Sequence, residues 1–118
     1  MTLKEKDILS IGDMSREEIT RIFKIADNMD PKGAYDILKG KILAALFFQP
    51  STRTRLSFES AMQRLGGGVI GFADPSVSRA GDPRFSESLE DTVRMVDDYS
   101  DIIVIRHFLT GAPALAAD

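Results

Sequence analysis

Ser51-Thr52-Arg53-Thr54-Arg55 sets three hydroxyls and two guanidiniums side by side in the chain. These groups suit an oxyanion. A guanidinium grips a phosphate with two parallel N–H bonds, and hydroxyls donate to the remaining oxygens. A second basic pair, Arg106-His107, closes an apolar run far along the chain. The chemistry within reach is recognition of a small phosphate-bearing ligand and stabilisation of charge as it develops on that ligand.

The elements around these residues decide whether they can meet. Lys41-Ile42-Leu43-Ala44-Ala45-Leu46-Phe47-Phe48 is a near-continuous apolar run, the pattern of a strand buried on both faces. Downstream, Phe58, Ala61, Met62 and Leu65 recur at helical spacing, which predicts a helix with those residues on its buried face. The hydroxyl–arginine cluster therefore lies where a strand hands over to a helix, beside unpaired backbone N–H groups and the positive end of the helix dipole. Gly66-Gly67-Gly68 stops that helix, and Val69–Ala73 reads as a short strand. Residues 74–86 carry Pro75, Gly81 and Pro83 and read as a long loop. A helix is expected over about 87–99, with Leu89, Val93 and Val96 inward, and Asp101–His107 contains a third buried strand. Residues 111–118 suggest a small Ala-rich helix.

Toward the amino end, Ser15-Arg16-Glu17-Glu18 is a capping box, with Met14 and Ile19 spaced for its hydrophobic staple. The helix it opens is expected to bury Ile19, Ile22, Phe23 and Ala26 and to end before Asp30-Pro31-Lys32-Gly33. Helices and strands thus alternate. The expected fold is α/β, three layers with a parallel sheet between helices. Ligands of such sheets sit beyond the carboxyl ends of the strands, where the 51–54 cluster, the 74–86 loop and Arg106 all fall.

Bulk properties narrow the partners. The 118 residues suit one domain with a core, and 43% hydrophobic with 28% charged is ordinary for a soluble protein. A net charge of −3 argues against nucleic acid or a membrane surface and for a small anion at a local basic site. The absence of cysteine excludes disulfides and thiolate chemistry. No apolar run is long enough for a membrane span, and residues 1–7 lack the apolar stretch of a secretory signal, so a cytoplasmic protein is expected. Arg55 is expected to pair with Glu59 one turn on rather than touch a ligand. Phe47 and Phe48 read as core, His107 as structural or exposed, and Glu87, Glu90, Asp91, Asp97 and Asp98 as a solvated helix face rather than a metal cluster.

Phe47-Phe48-x-Pro50-Ser51-Thr52-Arg53-Thr54-Arg55, then Ser57-Phe58-Glu59 and Gly66–Gly68, resembles the transcarbamoylases. Gly71-Phe72, Glu87-Ser88-Leu89-Glu90-Asp91-Thr92 and Ile103-Val104-Ile105-Arg106-His107 resemble the aspartate carbamoyltransferases in particular. The resemblance runs from about Ile8 to the end and implies that residues 1–118 form the amino-terminal carbamoyl-phosphate-binding domain, cut short at its carboxyl end. It implies that Ser51, Thr52, Arg53 and Thr54 contact the phosphate, with Thr54 and Arg106 also reaching the carbonyl oxygen. Arg53, Thr54 and Arg106 would serve catalysis. The implied reaction is carbamoyl transfer from carbamoyl phosphate to the amino group of aspartate, toward pyrimidines, with no metal or organic cofactor. Aspartate would be bound by a second domain that is absent here, so the isolated chain is expected to be inactive. A homotrimer is the implied assembly.

Three departures accompany the resemblance. The family's next segment, His-Pro-x-Gln, and its aspartate-binding domain lie beyond Asp118, and His107 does not replace that histidine. The family's loop lysine, which reaches a neighbouring subunit's site, has no counterpart, leaving Ser78, Arg79 and Arg84 as possible contributors. Gln49 stands where a glutamate is common. Two other readings stay open: a non-catalytic assembly module, and a transcarbamoylase acting on another amine.

Overall fold

A computed structural model of the chain describes residues 6–72, 89–107 and 111–117, apart from the Leu115 side chain. The chain divides into two compact units, Met1–Gly33 and Ala34–Asp118.

The first unit holds a 3-10 turn, Ile11–Asp13, and helix α1, Arg16–Asp27. The capping box forms as the sequence requires. Ser15 Oγ accepts from the Glu18 N–H at 3.1 Å, and Glu18 Oε1 accepts from the Ser15 N–H at 2.8 Å. Lys6 Nζ adds a salt bridge to Glu18 Oε2 at 3.2 Å over the buried carboxylate. The expected buried face does not form. Ile22 is 36% and Phe23 63% exposed, and Ala26 is exposed as well. A unit with one three-turn helix has too little chain of its own to cover an apolar stripe.

The Ser15 backbone N–H, followed by Lys6, holds the Glu18 carboxyl below the usual carboxylate range, with burial opposing them. A carboxyl whose folded pKa lies below its unfolded one stabilises the fold above the unfolded value. That contribution is lost as pH falls through the folded value. Acidification below about pH 5 is therefore expected to loosen α1, and Glu18→Gln to flatten that acid sensitivity, as followed by circular dichroism.

The second unit is built on a three-stranded parallel sheet of order β2-β1-β3: β1 Ile42–Phe47, β2 Gly68–Phe72 and β3 Ile102–Arg106. The central place of β1 explains its uninterrupted apolar sequence. Residues 43–47 are all buried, because both faces meet helices. On one face Leu43, Ala45 and Phe47 pack with Met62 of helix α2, Thr52–Arg64. On the other, Ala44, Leu46 and Phe48 pack with Val93 and Val96 of helix α3, Leu89–Asp97. A short helix α4, Ala112–Ala117, adds Ala116 to this second face. These are the three layers expected from the alternation of elements.

The α2 packing is narrower than its spacing suggests. Met62 is buried, but Phe58 is 43% exposed, Ala61 is exposed and Leu65 is half-buried. Among the described residues the sheet is three strands wide, and β2, at its edge, is itself half-open. Helix α2 ends in a Schellman arrangement around Gly66, whose φ is 95°. Gly67 N–H donates to Met62 O and Gly66 N–H to Gln63 O, both at 3.0 Å.

Gly71 has φ 140° and lies opposite Ala45 in the ladder. A Cβ there would run into the Ala45 backbone. Gly71→Ala is therefore expected to cost about 2–3 kcal/mol, through strain at φ and displacement of the central strand, measurable by urea unfolding.

Candidate functional site

The strand register brings the candidate residues together. Phe47, the last residue of β1, is opposite Arg106, the last of β3, and the Phe48 N–H donates to Arg106 O at 2.8 Å. Both strands thus end at one level. The chain leaving β1 passes through Gln49 and Pro50 to Ser51, the N-cap of α2.

Ser51 does not use its hydroxyl to cap the helix. Its Oγ accepts instead from Arg106 Nη1 at 2.8 Å, and Gln49 Oε1 accepts from Arg106 Nε at 3.4 Å. The end of β3 is in this way tied to the start of α2. The first bond of the helix ladder runs from Arg55 N–H to Ser51 O at 3.1 Å. The N–H groups of Thr52, Arg53 and Thr54 consequently lie outside that ladder, at the positive end of the dipole. Arg53 is exposed, and its side chain makes no hydrogen bond or ion pair among the described residues. Thr54 is half-buried, and Thr52 is exposed.

Arg55 takes the other role expected of it, pairing with Glu59 at 3.0 Å along the helix. Its charge is compensated inside α2, whereas those of Arg53 and Arg106 face no carboxylate among the hydrogen bonds and ion pairs described. Two uncompensated guanidiniums, three hydroxyls and a free helix amino terminus form a concentrated anion-attracting edge on a chain of net charge −3.

His107 packs its ring on Phe48, with centroids 4.7 Å apart, and Phe48 in turn meets Phe72 edge-on at 5.1 Å. Burial pushes the His107 pKa down, which favours the neutral ring near neutral pH. Its role here is aromatic packing behind Arg106. Ser78, Arg79 and Arg84 lie outside the described residues. Among the described residues no helix is long and apolar enough to cross a membrane.

The hold of Gln49 on Arg106 is the feature that spacing alone did not reveal. The parallel register contains the signal. Once Phe47 faces Arg106, a residue two places further along must lie beside that guanidinium.

A three-layer α/β domain with a parallel sheet and an anion-attracting edge between its first strand and following helix has the layout of α/β domains that take phosphate-bearing ligands beyond the carboxyl ends of their strands. The particular family is shown by comparison. Residues 6–118 match the aspartate/ornithine carbamoyltransferase carbamoyl-P binding domain, and the chain belongs to that family. It is 52% identical, over its full length, to 38% of the aspartate carbamoyltransferase catalytic subunit of Thermococcus kodakarensis. The catalytic subunit of M. jannaschii aspartate transcarbamoylase superposes with TM-score 0.80 at 46% identity, over 93% of this chain and 37% of that one. Aspartate transcarbamoylase from Trypanosoma cruzi in complex with carbamoyl phosphate and aspartate superposes with TM-score 0.86 at 38% identity, over 98% of this chain and 38% of that one. The chain thus spans less than two fifths of the length of these relatives.

Proposed function

We propose that this domain binds carbamoyl phosphate at the junction of β1 and α2, as part of a protein that transfers the carbamoyl group to the amino group of aspartate. The observation that carries the reading is the Arg106–Ser51 contact at 2.8 Å, which brings the basic end of β3 to the amino terminus of α2. Ser51, Thr52, Arg53 and Thr54 bind the phosphate through hydroxyls, backbone N–H groups and the Arg53 guanidinium. Thr54 and Arg106 also address the carbonyl oxygen.

In the reaction the aspartate amine attacks the carbonyl carbon. A C–N bond forms, the C–O bond to phosphate breaks, and the amine gives up a proton. Negative charge grows on the carbonyl oxygen and on the departing phosphate. Fixed donors already aimed at both oxygens stabilise that charge without reorganising. Orientation of the amine against the carbonyl supplies much of the remaining acceleration. That orientation is assigned to the portion of the relatives' length that this chain does not match. The 118-residue chain alone is therefore expected to bind carbamoyl phosphate with little turnover. Cytoplasmic location, a homotrimer, and a contribution of Ser78, Arg79 or Arg84 to a neighbouring subunit's site belong to the same proposal.

Calorimetric titration with carbamoyl phosphate, paired with an assay for carbamoyl aspartate, tests it. Saturable one-site binding is expected. Failure to bind, or binding unaffected by Arg53→Ala, would refute the assignment.

A further inference from the structure

Arg106 is held on two sides, and both acceptors are neutral. Ser51 Oγ takes Nη1 at 2.8 Å, and Gln49 Oε1 takes Nε at 3.4 Å. Of the five N–H donors of a guanidinium, these contacts use two and leave three for a ligand. The Gln49 contact, at 3.4 Å, is longer than the usual range of about 2.7–3.2 Å, so it steers the side chain more than it locks it. Gln49 itself is half-buried just beyond β1, on a backbone fixed by the Phe48–Arg106 hydrogen bond.

We infer that Gln49 is a positioning residue whose uncharged amide aims the Arg106 guanidinium at the anion without neutralising it. The inference rests on the reading that Arg106 contacts carbamoyl phosphate. An amide oxygen and a carboxylate oxygen accept the same bond, but they differ in charge. A carboxylate at position 49 would pair with Arg106 and place a negative charge close to the incoming dianion. At a separation of about 6 Å in a water-like dielectric, that charge weakens dianion binding roughly tenfold. Loss of the tether alone is milder, because Ser51 still holds one nitrogen.

The test is calorimetric titration of the 118-residue chain with carbamoyl phosphate at several salt concentrations, for wild type, Gln49→Glu, Gln49→Ala and Arg53→Ala. Gln49→Glu is expected to bind about tenfold more weakly, with a shallower salt dependence and an unfolding midpoint equal to or above wild type. Gln49→Ala is expected to lose about two- to threefold, with the salt dependence of wild type. A purely structural role would not change the salt dependence. The inference is overturned if Gln49→Glu binds as wild type does, or weakens only in step with a fall in its unfolding midpoint. Equal binding by wild type and Arg53→Ala would instead sink the underlying site. Binding lost in Arg53→Ala yet indifferent to Gln49→Glu would sink the Gln49 inference alone.

Discussion

Arg106→Ala is expected to weaken carbamoyl phosphate binding by about a hundredfold while leaving the fold in place. The guanidinium supplies charge-assisted hydrogen bonds, each worth about 1.5–3 kcal/mol when its partner is ionised. One such bond lost at the upper end of that range corresponds to roughly two orders of magnitude in affinity. The stability cost is small. The Arg106 side chain is exposed and its two described partners, Ser51 and Gln49, are neutral groups that water can satisfy. Changes of that kind usually fall within about 0.5–1 kcal/mol. Arg106→Lys is expected to recover little of the loss, because an ammonium cannot hold Ser51 and Gln49 with a planar fork while also gripping the ligand. Calorimetry for affinity and urea unfolding for stability separate the two effects. An Arg106→Ala chain that bound normally would remove Arg106 from the site.

Phe47→Ala is expected to cost about 3–5 kcal/mol, the range for truncating a buried phenylalanine. Phe47 is 0% exposed and is the largest side chain on its face of the central strand, packed with Leu43, Ala45 and Met62. Native domains have about 5–15 kcal/mol of stability in total, so the variant should lose a large fraction of its margin. Binding would suffer as well. Phe47 faces Arg106 in the ladder, and the backbone beyond it carries the Phe48–Arg106 bond that levels the two strand ends. Phe47→Leu keeps most of the volume and is expected to lose less than about 1.5 kcal/mol. Urea unfolding that showed Phe47→Ala within about 1 kcal/mol of wild type would contradict the central position given to β1.

Much of this arrangement was legible in the chain itself, and the exceptions share a cause. The apolar run of β1 announced a strand buried on both faces, because a central parallel strand covered by helices on each side needs no polar alternation. Ser15 and Glu18 announced the start of α1, since a capping box satisfies its donors locally. Gly66 announced the end of α2 for a similar local reason. Arg55 and Glu59 were likewise within one helical turn of each other. The misjudged positions are those that depend on what covers a helix. Ile22, Phe23, Phe58 and Ala61 have apolar helical spacing, yet they remain exposed. Periodicity names the face that could be buried, while burial needs a neighbour wide enough to reach it.

The site follows the same division. The local cluster, 51–55, could be read directly from residue types and the strand-to-helix junction. The resemblance then gave Arg106 its place. The contact between Gln49 and Arg106 joins residues 57 apart in sequence and becomes visible only once the register of β1 against β3 is known.

The central claim is that an oxyanion binds between the amino terminus of α2 and the end of β3. A crystal structure of the chain grown with carbamoyl phosphate tests it most directly. The account predicts phosphate oxygens within hydrogen-bond distance of the Arg53 and Thr54 N–H groups and the Arg53 guanidinium, with the carbonyl oxygen facing Thr54 and Arg106. Ligand bound on another surface, or both guanidiniums turned away from an empty junction at saturating ligand, would contradict it.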